Sequence, residues 1–214
     1  RNGILTTPPV TTPPGPTELE AVGPRKSFQF TSPLPTLTRP SVLAISPFNA
    51  PLVLLAKMIA FPLGAGNAVI AKPSEETPLI AVELAKVMHE AGLPDGVFNV
   101  VTGYGTECGA PLAKHPKING IALTGSTATG VKIGEIAIRS MKRMQLELGG
   151  KNPLLVLNDF DVTRAAEIAA VGAFTHGGQV CMSSARVLAE APNGRAFAEA
   201  LAKKVSRMES ELAT

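Results

Sequence analysis

The chain has no tryptophan, one tyrosine and only 4% aromatic residues in all. Its lysines and arginines are scattered, with no basic stripe and no aromatic side chains interleaved among them. Nucleic-acid binding needs both a charged track and stacking rings, so it gains no support. Cysteine occurs twice, at 108 and 181. Two thiols cannot build a disulfide framework; they fit a reducing, cytoplasmic setting, and either could be reactive. No apolar run reaches membrane-spanning length; the stretch 50–61 comes nearest, and Lys57 interrupts it. No membrane partner is therefore expected. The opening RNGILTTPPV has neither an apolar signal-peptide core nor an initiating methionine, and it reads as an internal or trimmed start. The three histidines and two cysteines lack metal-ligand spacing, so no metal is expected.

What is present points to a packed globular chain. Of 214 residues, 45% are hydrophobic and 17% charged, and the net charge is +3. Residues 1–40 stand apart, holding nine of the 19 prolines and eight threonines. Such sequence neither continues a helix nor pairs as a central strand. It predicts an extended tail with one edge strand near Ser27–Thr31. From Ser41 onward, short apolar runs alternate with helical stretches. The runs are VLAI (42–45), AVIA (68–71), VFNVV (97–101), GIAL (120–123), MQLEL (144–148), LLVL (154–157) and RVLA (186–189). Helices are predicted at about 51–63, 78–91, 106–114, 128–139, 161–175 and 194–211. This alternation is the signature of an α/β fold with a parallel sheet.

One helix is well punctuated. Thr77 can cap it, Pro78 occupies its first turn, and Gly92 and Pro94 stop it. Leu79, Ile80, Leu84, Val87 and Met88 make its predicted apolar face. Two glycine turns, TGYG (102–105) and TGSTATG (124–130), follow strands. Neither is a dinucleotide fingerprint or a P-loop, although backbone N–H groups after the second could bind a phosphate. Cys108 follows the first turn and reads as packing. His89 and His115 read as surface residues near helix ends.

Four segments carry candidate chemistry. In SPFNAP (46–51), Asn49 sits between two prolines after a strand. Its amide could stabilise an oxyanion, or it is a turn residue. In KPSEETP (72–78), Lys72 ends a strand and Glu75 follows within one turn. Together they could hold ribose hydroxyls, or they are solvated charges at a helix entry. In LELGGKNP (146–153), Glu147 lies inside an apolar strand. A buried carboxylate there would have its pKa raised toward that of a general base; an exposed strand face is the alternative. In FTHGGQVCMSSARV (174–187), glycines precede Cys181 and permit close approach of a ligand. A helix N-terminus or nest there could activate the thiol, and a buried core cysteine is the alternative.

These segments resemble, in order and spacing, the aldehyde dehydrogenase superfamily, over about Val42 to Glu190. The match includes SPFNAP, GNAVIAKPSEETP, EAGLPDGVFNVVTGYG, TGSTATG, LELGGKNP and GQVCMSSARV. The resemblance implies a Rossmann-like cofactor domain over 41–149 and an incomplete α/β catalytic domain over 150–214, behind the tail 1–40. It implies that Cys181 attacks an aldehyde carbonyl, giving a thiohemiacetal and then a thioester. Asn49 and the Cys181 N–H would form the oxyanion hole, and Glu147 would activate the hydrolytic water. Lys72 and Glu75 would contact the adenosine ribose, with Ile45, Ser46, Pro47 and Phe48 lining the cofactor wall. Gly105, Gly125 and Ser126 would lie near pyrophosphate and adenine, and Leu148 near the nicotinamide. A carboxylate at Glu75 would repel a 2′-phosphate, so NAD is expected over NADP.

Family members are much longer. A Glu-x-Phe-Gly-Pro type segment, the last strands of the catalytic domain and the C-terminal strand that pairs subunits are not in this sequence. The family's homo-oligomers are thus implied without that pairing strand, and the chain reads as a fragment. His176, with CMS after the nucleophile, resembles members acting on aromatic aldehydes. His176 itself reads as a helix C-terminal residue or as half of a Cys–His dyad. The alternatives to a working dehydrogenase are a non-catalytic remnant that binds dinucleotide, and a thioesterase-like hydrolase without hydride transfer.

Overall fold

The structure is a computed structural model that describes residues 4–5 and 39–208. The chain divides into two compact units between Leu148 and Gly149.

The first unit is a six-stranded sheet. Its strands are β1 (Ile4–Leu5), β2 (Ser41–Ile45), β3 (Ala68–Lys72), β4 (Phe98–Val101), β5 (Ile118–Gly125) and β6 (Arg143–Leu148). Their order is β1-β4-β3-β2-β5-β6. All neighbours pair in parallel except β1, which runs antiparallel to β4 with Ile4 opposite Val101. The helices between them are α1 (Pro51–Gly64), α2 (Pro78–Glu90), the short α3 (Ala110–Lys114) and α4 (Thr127–Ile138). Every residue of β3 and β4 is buried, as expected of parallel strands covered on both faces.

The period-2 alternation of side chains sorts the core into two layers. Leu43, Ile70, Ile121 and Leu123 pack with Leu112, Ala113, Ile133 and Ala137 of α3 and α4. Ala44, Val69, Ala71, Val100 and Ala122 pack with Leu55, Met58 and Ile59 of α1 and with Ala81 and Ala85 of α2. Burying a leucine such as Leu43 or Leu55 completely contributes roughly 1.5–3 kcal/mol. The chain leaves β2 outward to β3 and β4, then returns to β5 and β6 on the other side. The reversal at β2/β5 is a topological switch point, where the loops after two adjacent strands part and leave a crevice.

The second unit pairs β7 (Pro153–Val156) with β8 (Arg186–Ala189) in parallel. Helices α5 (Val162–Phe174) and α6 (Ala191–Val205) complete it. Ala165, Ala166 and Ala169 of α5 pack with Val156 and with Phe197 of α6. Small side chains let the helices approach closely. Asp161 caps α5, its carboxylate accepting from the Arg164 N–H at 2.7 Å.

Several expectations need correction. The apolar face of α2 is formed by Ala81 and Ala85 with Val82, Leu84 and Met88. Leu79 and Val87 are more than half exposed, because at about 100° per residue they fall on the side of the helix away from Ala81 and Ala85. Thr77 holds the N-cap position of α2 but makes no side-chain cap bond, and its hydroxyl is buried without a partner among the described residues. The helix expected at 106–114 is a π-turn at Gly105–Gly109 running into α3. The last helix runs Ala191–Val205, earlier than the expected 194–211. The strand expected near Ser27–Thr31 lies outside the described residues.

Candidate active site

Parallel strands put their C-terminal ends on one rim, and the first unit gathers its candidate residues there. Ile45 ends β2. Ser46 follows, its N–H donating to the Lys72 carbonyl at 3.1 Å. Ser46 is buried, and its hydroxyl has no partner among the described residues. An orphaned buried hydroxyl at a strand's C-terminal end is what a polar ligand in the crevice would satisfy. Pro47, the exposed Phe48 and the half-buried Asn49 form the bend into α1, whose first residue is Pro51.

Lys72 is not a solvated charge. Its side chain is 5% exposed and its Nζ donates to Glu75 Oε2 at 2.9 Å. Partial burial works against ionisation of Glu75. A backbone hydrogen bond at Glu75, and the hydrogen bond and charge of Lys72, outweigh it and hold this carboxyl below the ordinary carboxylate range. Gly105 opens the π-turn after β4. Cys108, 1% exposed in the core, donates its S–H to the Tyr104 carbonyl. Burial pushes the Cys108 thiol pKa up, against the opposing charge of Lys72. It is a packing residue, as the sequence suggested.

Gly125 ends β5, and Ser126 caps α4, its hydroxyl accepting from the Thr129 N–H at 3.2 Å. The N-terminus of this three-turn helix, with its partial positive charge, therefore lies at the same rim. In β6, Glu147 is opposite Thr124 and Leu148 opposite Gly125. Leu148 also lies against α4: a β-carbon on Gly130 would come within 2.7 Å of its side chain. The burial expected of Glu147 is not found. Its side chain is 51% exposed and lies 4.0 Å from Lys57 of α1. The reason is topological: β6 is the edge strand, pairing only with β5.

The second unit carries Cys181, which is exposed rather than a core residue. The expected helix N-terminus is absent there. After α5 comes a 3-10 turn, Thr175–Gly178, in which His176, Gly177 and Gly178 all have positive φ. Three left-handed residues in a row reverse the chain sharply, which two glycines make possible. His176 belongs to that turn at the end of α5. Cys181 lies inside a tight turn closed by the Ser183 N–H donating to the Val180 carbonyl, 3.0 Å. Its own carbonyl accepts from Asn152 Nδ2 at 2.7 Å. Asn152 and the approach of Lys57 to Glu147 are features that sequence reasoning missed, whereas Ser46 was expected on the cofactor wall. Asn152 left a trace, as a polar residue between two glycines and a proline.

The residues at this rim fit a dinucleotide: a buried ammonium paired to a carboxylate, an orphaned buried hydroxyl, and a helix N-terminus. Among the described residues, no group of three or more His, Cys, Asp or Glu is placed to hold a metal ion. The sequence pattern of the aldehyde dehydrogenase family matches residues 35–212. The chain belongs to that family. A hydroxyisobutyraldehyde dehydrogenase of Mycolicibacterium austroafricanum is 43% identical over 188 residues, covering 88% of this chain and 36% of that protein. A betaine aldehyde dehydrogenase of Staphylococcus aureus, solved in complex with NAD+, superposes with a TM-score of 0.77 at 34% identity, covering 79% of this chain and 34% of its own. A 3,6-anhydro-L-galactose dehydrogenase in complex with NADP also gives 0.77, at 38% identity, covering 80% of this chain and 36% of its own. Aldehyde dehydrogenase structures similar to this chain thus bind either nicotinamide cofactor. The chain spans about a third of the length of these relatives.

Proposed function

We propose that this chain carries the nucleophile and most of the cofactor-binding rim of an aldehyde dehydrogenase that oxidises an aldehyde to a carboxylic acid with NAD. The observation that carries the reading is the Lys72–Glu75 pair beside the unsatisfied Ser46 hydroxyl, on a chain belonging to this family throughout its described core. Cys181, as thiolate, adds to the aldehyde carbonyl, and the carbonyl oxygen becomes an alkoxide. The Asn49 amide and the Cys181 N–H donate to that oxygen. Lys72, Glu75 and the Ser46 hydroxyl would hold a nicotinamide dinucleotide, which would supply the hydride acceptor; loss of hydride from the former aldehyde carbon would leave a thioester on Cys181. Glu147 takes a proton from water, whose oxygen attacks the thioester carbon; the C–S bond breaks, releasing the acid and the thiolate. The exposed thiol of Cys181 suits the first step, since thiolates are strong nucleophiles and good leaving groups. Exposure of Glu147 to water suits the last.

NAD is preferred over NADP in this reading. Partial burial opposes ionisation of Glu75, but its backbone hydrogen bond and Lys72 outweigh that, and an ionised carboxylate accepts from a ribose 2′-hydroxyl while repelling a 2′-phosphate. Substitution of Glu75 by Ser is expected to narrow that preference. His176 and the CMS sequence support an aromatic aldehyde as substrate. Two unpaired cysteines support a reducing compartment such as the cytoplasm. Among the described residues, no helix is long and apolar enough to cross a membrane.

The test is NADH formation from benzaldehyde and NAD, run beside nitrophenyl-ester cleavage. NADH formation abolished by Cys181→Ser supports the dehydrogenase. Ester cleavage alone supports a thioesterase-like hydrolase. Neither activity from a folded chain supports a remnant that binds dinucleotide only.

A further inference from the structure

The loop that presents Cys181 is held from outside at two points, and neither belongs to the chemistry described above. At the first, Asn152 Nδ2 donates to the Cys181 carbonyl at 2.7 Å and reaches the Ser183 carbonyl at 3.4 Å. The two hydrogens of one side-chain amide thus serve two carbonyls of the loop. At the second, the Ser184 N–H donates to the Gly172 carbonyl of α5 at 2.9 Å. Asn152 is itself fixed. It directly precedes β7, its carbonyl accepts from the Arg186 N–H at 3.3 Å, and the neighbouring Lys151 carbonyl accepts from Arg186 Nε at 2.9 Å. Gly150 leaves room for the amide: a β-carbon there would sit 2.9 Å from Asn152 Oδ1.

We propose that Asn152 is a positioning residue for the Cys181 thiol, its side-chain amide fixing the peptide planes on either side of the loop and so the direction in which the thiol leaves the backbone. The proposal rests on the reading of Cys181 as nucleophile. The side-chain type is specific. Aspartate has the same shape but, when ionised, no donor, and it would set a negative charge against two carbonyl oxygens. Alanine removes the clamp without adding charge. A nucleophile held loosely spends less time at attack geometry, and a displacement of about 1 Å costs roughly 100-fold in rate.

The test uses the full chain with a nitroxide attached to Cys181, one adduct being confirmed by mass. Wild type is expected to give an immobilised spectrum, and Asn152→Ala and Asn152→Asp a mobile one, with circular dichroism unchanged. Where Asn152→Asp fails to fold, Asn152→Ala decides. In turnover assays the same variants are expected to lose roughly 10- to 100-fold in kcat with KM for NAD unchanged, a split that general destabilisation does not produce. An immobilised label in a folded Asn152→Ala variant overturns the proposal. NADH formation that survives Cys181→Ser overturns the nucleophile reading instead, while the label spectrum still reports on the clamp.

Discussion

The sulfur of Cys108 occupies the space that a side chain at Gly103 would need: a β-carbon built on Gly103 lies 3.2 Å from Cys108 Sγ. Gly103 also has φ +142, which L side chains rarely adopt. Gly103→Ala is therefore expected to destabilise the first unit by about 1–3 kcal/mol, read as a lower urea midpoint. Removing the sulfur in Gly103→Ala/Cys108→Ala restores little, because the dihedral strain remains. Gly134, inside α4 with nothing within 4 Å of a built β-carbon, gives the opposite sign. Gly134→Ala should stabilise by roughly 0.5–1 kcal/mol.

The Lys72–Glu75 pair gives stability a defined acid limb. Partial burial opposes ionisation of Glu75, but its backbone hydrogen bond and Lys72 win, so its folded pKa is lowered. The folded state then binds fewer protons than the unfolded state. The contribution is present above the ordinary carboxylate value, about 4.3, and is lost as pH falls through the lowered folded value. Glu75→Gln should cost on the order of 1 kcal/mol at pH 7, kept small because Glu75 is partly exposed. Its stability should also fall less steeply than wild type on acidification below pH 4, in urea titrations at a series of pH values.

The two thiols should separate cleanly in alkylation. Cys181 is exposed and Cys108 is buried with a raised pKa. Iodoacetamide at pH 8 is expected to add once to the native chain, at Cys181, and twice in urea. Labelling of Cys108 should be roughly 100-fold slower or more, since it must await an opening of the core. Peptide mass mapping reads both sites, and equal native rates would contradict the burial of Cys108.

Gly172 and Ser184 form a tight contact between α5 and the cysteine loop. A β-carbon on Gly172 would lie 2.7 Å from Ser184 Oγ and 3.3 Å from its Cβ. Gly172→Ala should cost about 1–3 kcal/mol through overpacking. Ser184→Ala in the same chain removes the nearer atom and should recover most of that loss. A double-mutant cycle in urea measures the coupling, and strict additivity of the two changes would rule the contact out.

The strands were legible because parallel strands buried on both faces read as apolar runs, unbroken in AVIA and interrupted in FNVV only by Asn99, whose amide donates to the Val69 and Gly96 carbonyls. The exposure of Glu147 agrees with MQLEL, whose strict alternation sets Gln145 and Glu147 on one face, while the place of that strand at an edge comes only from the strand order. Leu79 and Val87 are apolar but lie off the stripe made by Ala81, Ala85, Leu84 and Met88, since at about 100° per residue they fall on the outer side of α2. Lys72 and Glu75 were recognisable as a pair by spacing, whereas the burial of the ammonium depends on β3 lying inside the sheet. Asn152 was invisible as a partner of Cys181, because parallel pairing of β7 and β8 joins segments far apart in sequence.

Because β2 to β6 all run the same way, the rim opposite the candidate residues is made of simple returns. Gly66, Gly92 and Gly96 turn the chain there with positive φ and open space around each α-carbon. That makes the far rim the natural handle of the first unit. A fluorophore or surface anchor grafted between α2 and β4 would leave the C-terminal strand ends untouched, and a chain immobilised by that loop would present the candidate rim outward.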